Sequence, residues 1–211
     1  MKQSGEMWIL DDDDFFRCFF RRTQDQFEIG SLMLAVRYVN NKTTAIDAGA
    51  HYGSWSRYMS LMFDNVHAFE PHPKIFECLK KNIENYSNVK AYPAALSNVT
   101  SFVNIADGEE NSGCNYVDGP GVIPSLVIDE LDFDDVAFIK VDVEGYEYFV
   151  LRGAEKTLLK HKPIIHLEDK GHSLRYNIEQ GEAVKYLESL GATVLTTYSN
   201  GLAEDYIMGW R

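Results

Sequence analysis

The sequence predicts a doubly wound α/β sheet. Three observations carry that expectation: short apolar runs alternate with helical patterns from Thr43 onward, each run is bounded by Gly, Pro, Asn or acidic residues, and each helical pattern keeps one apolar face. Parallel strands joined by helices then require right-handed crossovers. At 211 residues the chain can bury one substantial core, and it reads as a single domain over 1–211.

Taken in order, residues 1–42 read as a mostly helical cap, because Leu32, Ala35, Val36 and Val39 recur at i, i+3, i+4, i+7. The acids Asp11 to Asp14 read as a solvated turn or the first turn of a helix, where they complement the dipole. The apolar runs at "TTAID", "NVHAFE", "NVKAYPAAL", "VAFIKVDVE" and "PIIHLE" are each short and bounded by Gly, Pro, Asn or acids, as buried parallel strands should be. Between them, Trp55, Tyr58, Met59 and Met62 share one helical face, and Ile75, Leu79 and Ile83 a second. Tyr146, Phe149, Val150, Ala154 and Leu158 make a third, and Val184, Leu187 and Leu190 a fourth. Residues 97–135 break the rhythm with Asp107-Gly108, Ser112-Gly113 and "DGPG", and read as a hairpin and loop excursion over the sheet edge. The closing "ATVLTTYSNGLAEDYIMGW" reads as an antiparallel strand pair turning through Asn200-Gly201.

Charge and cysteine content exclude several classes. A formal charge of −12 opposes binding to a phosphate backbone or an anionic membrane surface, both of which need clustered basic residues. Cys18, Cys78 and Cys114 form no CxxC and no zinc spacing with His, so a reducing compartment is expected. No apolar segment approaches the ~18 residues of a membrane span, and "MKQSGEMWILDDDDFF" has no apolar core of a secretory signal. The expected setting is cytoplasmic, with a small-molecule or glycan partner and neither nucleic acid nor membrane.

In such a sheet, ligands bind beyond the carboxyl ends of the strands where the winding reverses. The stretch "TAIDAGAHYGSWS" occupies that junction and reads D-x-G-x-x-x-G from Asp47 through Gly49 to Gly53. It lacks the G-x-G-x-x-G of a pyrophosphate cradle and the G-x-x-x-x-G-K-[ST] of a P-loop. Glu70 ends the second strand in "AFEPHP", close to the ~20 positions beyond the first motif at which an acid reaches an adenosine ribose. A nucleoside without a diphosphate fits, and S-adenosylmethionine satisfies the inventory: Glu70 for the ribose hydroxyls, Asp47 for the ammonium side, and a close-approach glycine loop for the carboxylate. Read singly, Asp47 and Glu70 are also plain helix caps, and Gly49 and Gly53 plain turns.

These segments, together with "VHAFEPHPKIFECLKKNI", "VKAYPAALSN", "FIKVDVEGYEYFVLRGAEKTL" and "PIIHLE", resemble the FkbM family of S-adenosylmethionine-dependent methyltransferases from about Phe27 to the end. The resemblance implies a mostly parallel, seven-stranded, Rossmann-like class I methyltransferase fold and methylation of a hydroxyl on substrates such as sugars and polyketides. His51 stands where Asn is usual in the family, and Tyr146 where Ala is common. The candidate cofactor residues are Asp47, Gly49, Ala50, His51, Gly53, Glu70, Pro71, Ala94, Ala95 and Asp142.

Methyl transfer to oxygen needs alignment and a destination for the hydroxyl proton. On the fourth strand the period of two puts Lys140, Asp142 and Glu144 on one face, and the fifth strand ends in His166, Leu167, Glu168 and Asp169. Asp142 and Glu168 are therefore the leading catalytic candidates, acting as a base or sharing Mg2+ or another divalent cation. Lys140 and His166 are further candidates, each with a plainer alternative: a paired, partly buried charge for Lys140 and a satisfied core residue for His166. Glu144 and Glu147 suit the start of the next helix equally well. Two competing functions stand beside the O-methyltransferase. One is a nucleic-acid or protein methyltransferase, of which the nucleic-acid kind should show a basic groove and, for amino-group chemistry, a (D/N)-P-P-(Y/F) strand end where "DVEG" stands; the other, a non-catalytic cofactor-binding module, could lose the acids of strands four and five.

Overall fold

The computed structural model describes residues 1–23, 29–108, 111–199 and 204–210. It opens on a hairpin, β1 (Lys2–Ser4) and β2 (Met7–Ile9), followed by α1 (Asp14–Thr23) and α2 (Ile29–Ala35). Then come β3 (Thr44–Ala48), α3 (Ser54–Ser60), β4 (Asn65–Phe69), α4 (Pro73–Ile83) and β5 (Val89–Tyr92). An excursion of four short strands follows: β6 (Ala95–Leu96), β7 (Ser101–Ala106), β8 (Tyr116–Pro120) and β9 (Ile123–Leu126). The chain returns through β10 (Val136–Val141), α5 (Glu147–Arg152), α6 (Glu155–His161), β11 (Ile164–Asp169) and α7 (Glu182–Ser189), then ends in β12 (Thr193–Ser199) and β13 (Glu204–Gly209).

The large sheet has the order β12-β13-β11-β10-β3-β4-β5. β3, β4, β5, β10 and β11 run parallel, while β13 is antiparallel to both β11 and β12. The winding proceeds outward from β3 to β5, then crosses back to β10, so the reversal lies between β3 and β10. That register sets Lys140 beside Asp47 and Val141 beside Ala48. One core cluster joins Ile46, Ile139, Val141, Ile165 and Leu167 to Val150, Leu158 and Leu187 of the helices; a second joins Phe138 and Val66 to Trp55, Met59, Leu32 and Ala35. Both faces of the sheet are thus covered, which is why its strands read as continuous apolar runs.

Two expectations are corrected and one gains an element. In residues 1–42 the helices α1 and α2 are preceded by a hairpin, turned by Gly5 at φ 62° and fixed by alternate burial of Met7 and Ile9. Residues 97–135 form more than a hairpin and loop: β6 to β9 build a second sheet in the order β6-β9-β7-β8. The third helical face is split into α5 and α6 at Gly153, where a Cβ would lie 2.0 Å from the Ser97 carbonyl oxygen, so the backbone itself makes the contact. The Asn200-Gly201 turn lies outside the described residues, although the antiparallel strands flanking it are present.

Candidate active site

A cavity of about 700 Å³ opens above the reversal point. Of the residues nominated from sequence, Gly49, Ala50, His51, Glu70, Pro71, Ala94, Ala95, Lys140 and Asp142 line it; Asp47, Gly53, His166 and Glu168 do not. Asp47 is fully buried beneath the loop, where it accepts a hydrogen bond from Ser56 Oγ at 2.6 Å and pairs with Lys140 Nζ at 3.5 Å. Lys140 also donates to the Gly49 carbonyl at 2.8 Å and lies 3.3 Å from Asp142 Oδ2. One ammonium thus ties the ends of β3 and β10 together, a buried cation stabilised by two carboxylates.

Gly49 sits at φ 80°, and a Cβ there would fall 1.9 Å from the Asp142 carbonyl oxygen. Only glycine allows the two strand-end loops to approach so closely. His51 follows at φ 50°, in the left-handed region where Asn and His are among the better-tolerated side chains. That turn points the His51 N–H at Glu70 Oε2, 2.9 Å away, while the His72 N–H donates to Oε1 at 2.8 Å. Glu70 is therefore fixed by two backbone amides, and a carboxylate has lone pairs to spare for further donors. Burial, only partly opposed by these amides, pushes its pKa up to about 7. Gly53 opens α3 at φ 88° and packs its backbone against Leu79 of α4.

The far side of the cavity is a carboxylate cluster. Oxygens of Asp142, Glu144 and Glu168 lie within 4.8 Å of one another. Lys170, also at the cavity wall, places Nζ 2.7 Å from Glu168 Oε2 and 3.4 Å from Glu144 Oε1. His172 Nδ1 is 2.7 Å from Glu144 Oε2. Burial and the neighbouring Asp142 charge raise the Glu168 pKa, and a hydrogen bond to Asp142 adds to the rise. Asp142 moves the other way: burial opposes ionisation, but Lys140 and then Lys170 hold it below the usual carboxylate range. The pair shares its protons unequally, with Asp142 ionised.

His166 sits elsewhere. Its Nε2 is 2.6 Å from Ser31 Oγ, which donates its own proton to Asp205 Oδ2 at 3.0 Å, and its ring lies 4.6 Å from that of Trp55. This buried polar group joins α2 to β11 and β13 behind the cavity.

Sequence reasoning missed several residues. Lys170 shares the face of Glu168 by the period of two, a signal present in "HLEDKGH". Asp13, one acid among four, is buried and accepts hydrogen bonds from the Phe16 N–H at 3.1 Å, Tyr52 Oη at 2.8 Å and Ser112 Oγ. Ser112 in turn contacts His51 Nε2 at 2.8 Å, so Asp13 fastens α1 and the 112–114 turn over the glycine loop. Burial lowers the His51 pKa to about 4, leaving that imidazole neutral. Phe15, Phe16 and Phe19 of α1, with Tyr116, Tyr146 and Tyr198, give the cavity an aromatic roof.

S-adenosylmethionine fits this residue set. Its ribose hydroxyls need an acidic acceptor, which Glu70 would supply, and its amino-acid end needs a close backbone approach, which the Gly49 loop beside Asp142 would supply. The sheet order and the cavity at the reversal point together define the class I, Rossmann-like methyltransferase fold. A family model described as the Methyltransferase FkbM domain matches residues 47–194, and the chain belongs to that family.

Solved structures share the fold at low identity. The FkbM methyltransferase of Methylobacillus flagellatus KT superimposes with a TM-score of 0.55 at 17% identity, over 79% of this chain and 43% of that one. This chain therefore spans less than half the length of that relative. A putative methyltransferase of Streptococcus mutans in complex with S-adenosylhomocysteine gives 0.52 at 13%, over 86% and 95% of the two chains. Aeropyrum pernix fibrillarin with natively bound S-adenosylmethionine gives 0.55 at 10%, over 86% and 74%. No curated protein matches the chain by sequence. No helix among the described residues is long and apolar enough to cross a membrane.

Proposed function

We propose that the protein methylates a hydroxyl oxygen of a small molecule or glycan, using S-adenosylmethionine. The observation that carries the reading is one cavity walled by two differently prepared acids: Glu70, fixed by backbone amides, and Asp142, held ionised between ammonium groups. The cofactor supplies an electrophilic methyl group: the S–CH3 bond breaks as the O–CH3 bond forms, and the bonding electron pair stays on sulfur.

The chain's own groups do the rest. Glu70 anchors the nucleoside, the aromatic roof excludes water, and Asp142 takes the hydroxyl proton. A carboxylate with a depressed pKa is a weak base, but an alcohol oxygen becomes strongly acidic as it gains a methyl group, so a fixed carboxylate suffices. Alignment then supplies most of the rate. The acceptor end is lined by Phe15, Phe16, Phe19, Tyr116 and Val117, with Asn111 and Asn115 as neutral polar groups, which suits a ring-bearing, uncharged acceptor. The charge of −12 supports an acceptor other than nucleic acid.

The test is mass spectrometry of a panel of hydroxylated metabolites and sugars incubated with methyl-labelled S-adenosylmethionine. The expected result is a labelled methyl ether on at least one acceptor. Label found only on nitrogen, only on RNA, or on none of them contradicts the reading.

A further inference from the structure

Three carboxylates converging beside a cofactor cavity invite the assignment of a divalent cation. A cation such as Mg2+ or Ca2+ takes six or more oxygen ligands at ~2.0–2.6 Å. Here each acid already has a lysine ammonium beside it: Asp142 has Lys140, and Glu168 and Glu144 share Lys170, with His172 Nδ1 also 2.7 Å from Glu144. Glu168 also hydrogen-bonds Asp142.

The placement of Lys170 is built by the backbone. β11 ends at Asp169, whose Oδ1 accepts the Gly171 N–H at 3.1 Å and whose Oδ2 accepts the Gly181 N–H at 2.7 Å. Gly171, at φ 76°, then turns the chain directly after Lys170. On the other side, a Cβ on Gly145 would lie 2.6 Å from the His172 carbonyl carbon, so the loops after β10 and β11 pack backbone to backbone. The backbone so fixed sets Lys170 where its ammonium reaches both Glu144 and Glu168, and a dication beside it would meet a like charge within contact distance.

Resting on the methyltransferase reading for its consequence, we infer that Lys170 is the resident cation of the Asp142, Glu144 and Glu168 cluster: its ammonium occupies the place of a divalent metal. The proton and the acceptor hydroxyl at this edge of the cavity are then handled by the chain's own groups.

Manganous ion is the probe, titrated into the full chain with and without S-adenosylhomocysteine and followed by electron paramagnetic resonance. The wild type is expected to take up no Mn2+ at this cluster. Lys170→Met and Lys170→Gln are each expected to gain one Mn2+ site at least tenfold tighter than any in the wild type, lost again on adding Glu168→Gln. The inference is overturned if the wild type binds one Mn2+ that Glu168→Gln abolishes, or if both Lys170 variants retain S-adenosylhomocysteine affinity yet gain no Mn2+. Calorimetry with S-adenosylhomocysteine on the same samples reads the methyltransferase assignment separately, since a wild type that fails to bind it contradicts that assignment and leaves the metal result standing.

Discussion

The two halves of the cavity are held in different ways. On the β3 and β4 side, position is set by backbone: Gly49 against the Asp142 carbonyl, and the amides of His51 and His72 on Glu70. On the β10 and β11 side the loops also pack backbone to backbone, but the groups facing the cavity are held by side-chain charge: Asp142, Glu144 and Glu168 against Lys140 and Lys170. Backbone constraints are indifferent to most substitutions and suit a ligand that never changes. Side-chain charges can be rewritten one residue at a time, which would suit the half proposed to move the acceptor's proton.

That contrast can be broken experimentally. The largest effect is expected from Asp142→Asn, which keeps shape but removes the charge: single-turnover methylation of an acceptor found in the panel should slow by ~10²-fold or more, the usual scale for losing a positioned base. Cofactor affinity, measured on the same variant, should change far less. Equal losses in both would erase the distinction between the halves. A smaller effect is expected at the roof. Phe15 lines the cavity although it is half exposed, so Phe15→Ala costs little core packing. Losing one aromatic contact of ~0.5–1.5 kcal/mol should raise the acceptor KM by roughly two- to tenfold, with the melting temperature and cofactor affinity nearly unchanged. An unchanged acceptor KM would remove α1 from the acceptor site.

The backbone-built half was the more legible in the sequence, because a glycine motif and a strand-end acid have fixed spacing in a parallel sheet. Glu70 could be placed by counting from Asp47. The charge-built half was legible only in part. Asp142 follows from the period of two and Glu168 from the end of its strand, and Lys170 carries the same periodic signal one step further, but His172 reaches Glu144 through a turn set by Asp169 and Gly171, and turn geometry is not a periodic signal. Asp13 was hidden in another way: four consecutive acids look equivalent until the fold buries one of them beneath Tyr52 and Ser112. The second sheet of β6 to β9 reads from sequence only as a hairpin and excursion, because its strands are short and punctuated by Gly and Pro.

The central claim is that Glu70 anchors a nucleoside in the backbone-built half, and calorimetric titration of S-adenosylhomocysteine at several pH values tests it most directly. An ionised Glu70 would accept stronger, charge-assisted hydrogen bonds from the ribose than a neutral one, and burial raises its pKa to about 7. The affinity of the wild type should therefore hold above pH ~7 and decline as pH falls below it, by at most about tenfold per unit. At pH 8, Glu70→Ala should bind at least about tenfold more weakly, corresponding to one lost charge-assisted hydrogen bond of ~1.5–3 kcal/mol, and the pH dependence should disappear with the carboxylate. A wild type that does not bind, or a Glu70→Ala variant with unchanged affinity and the same pH profile, would contradict the account.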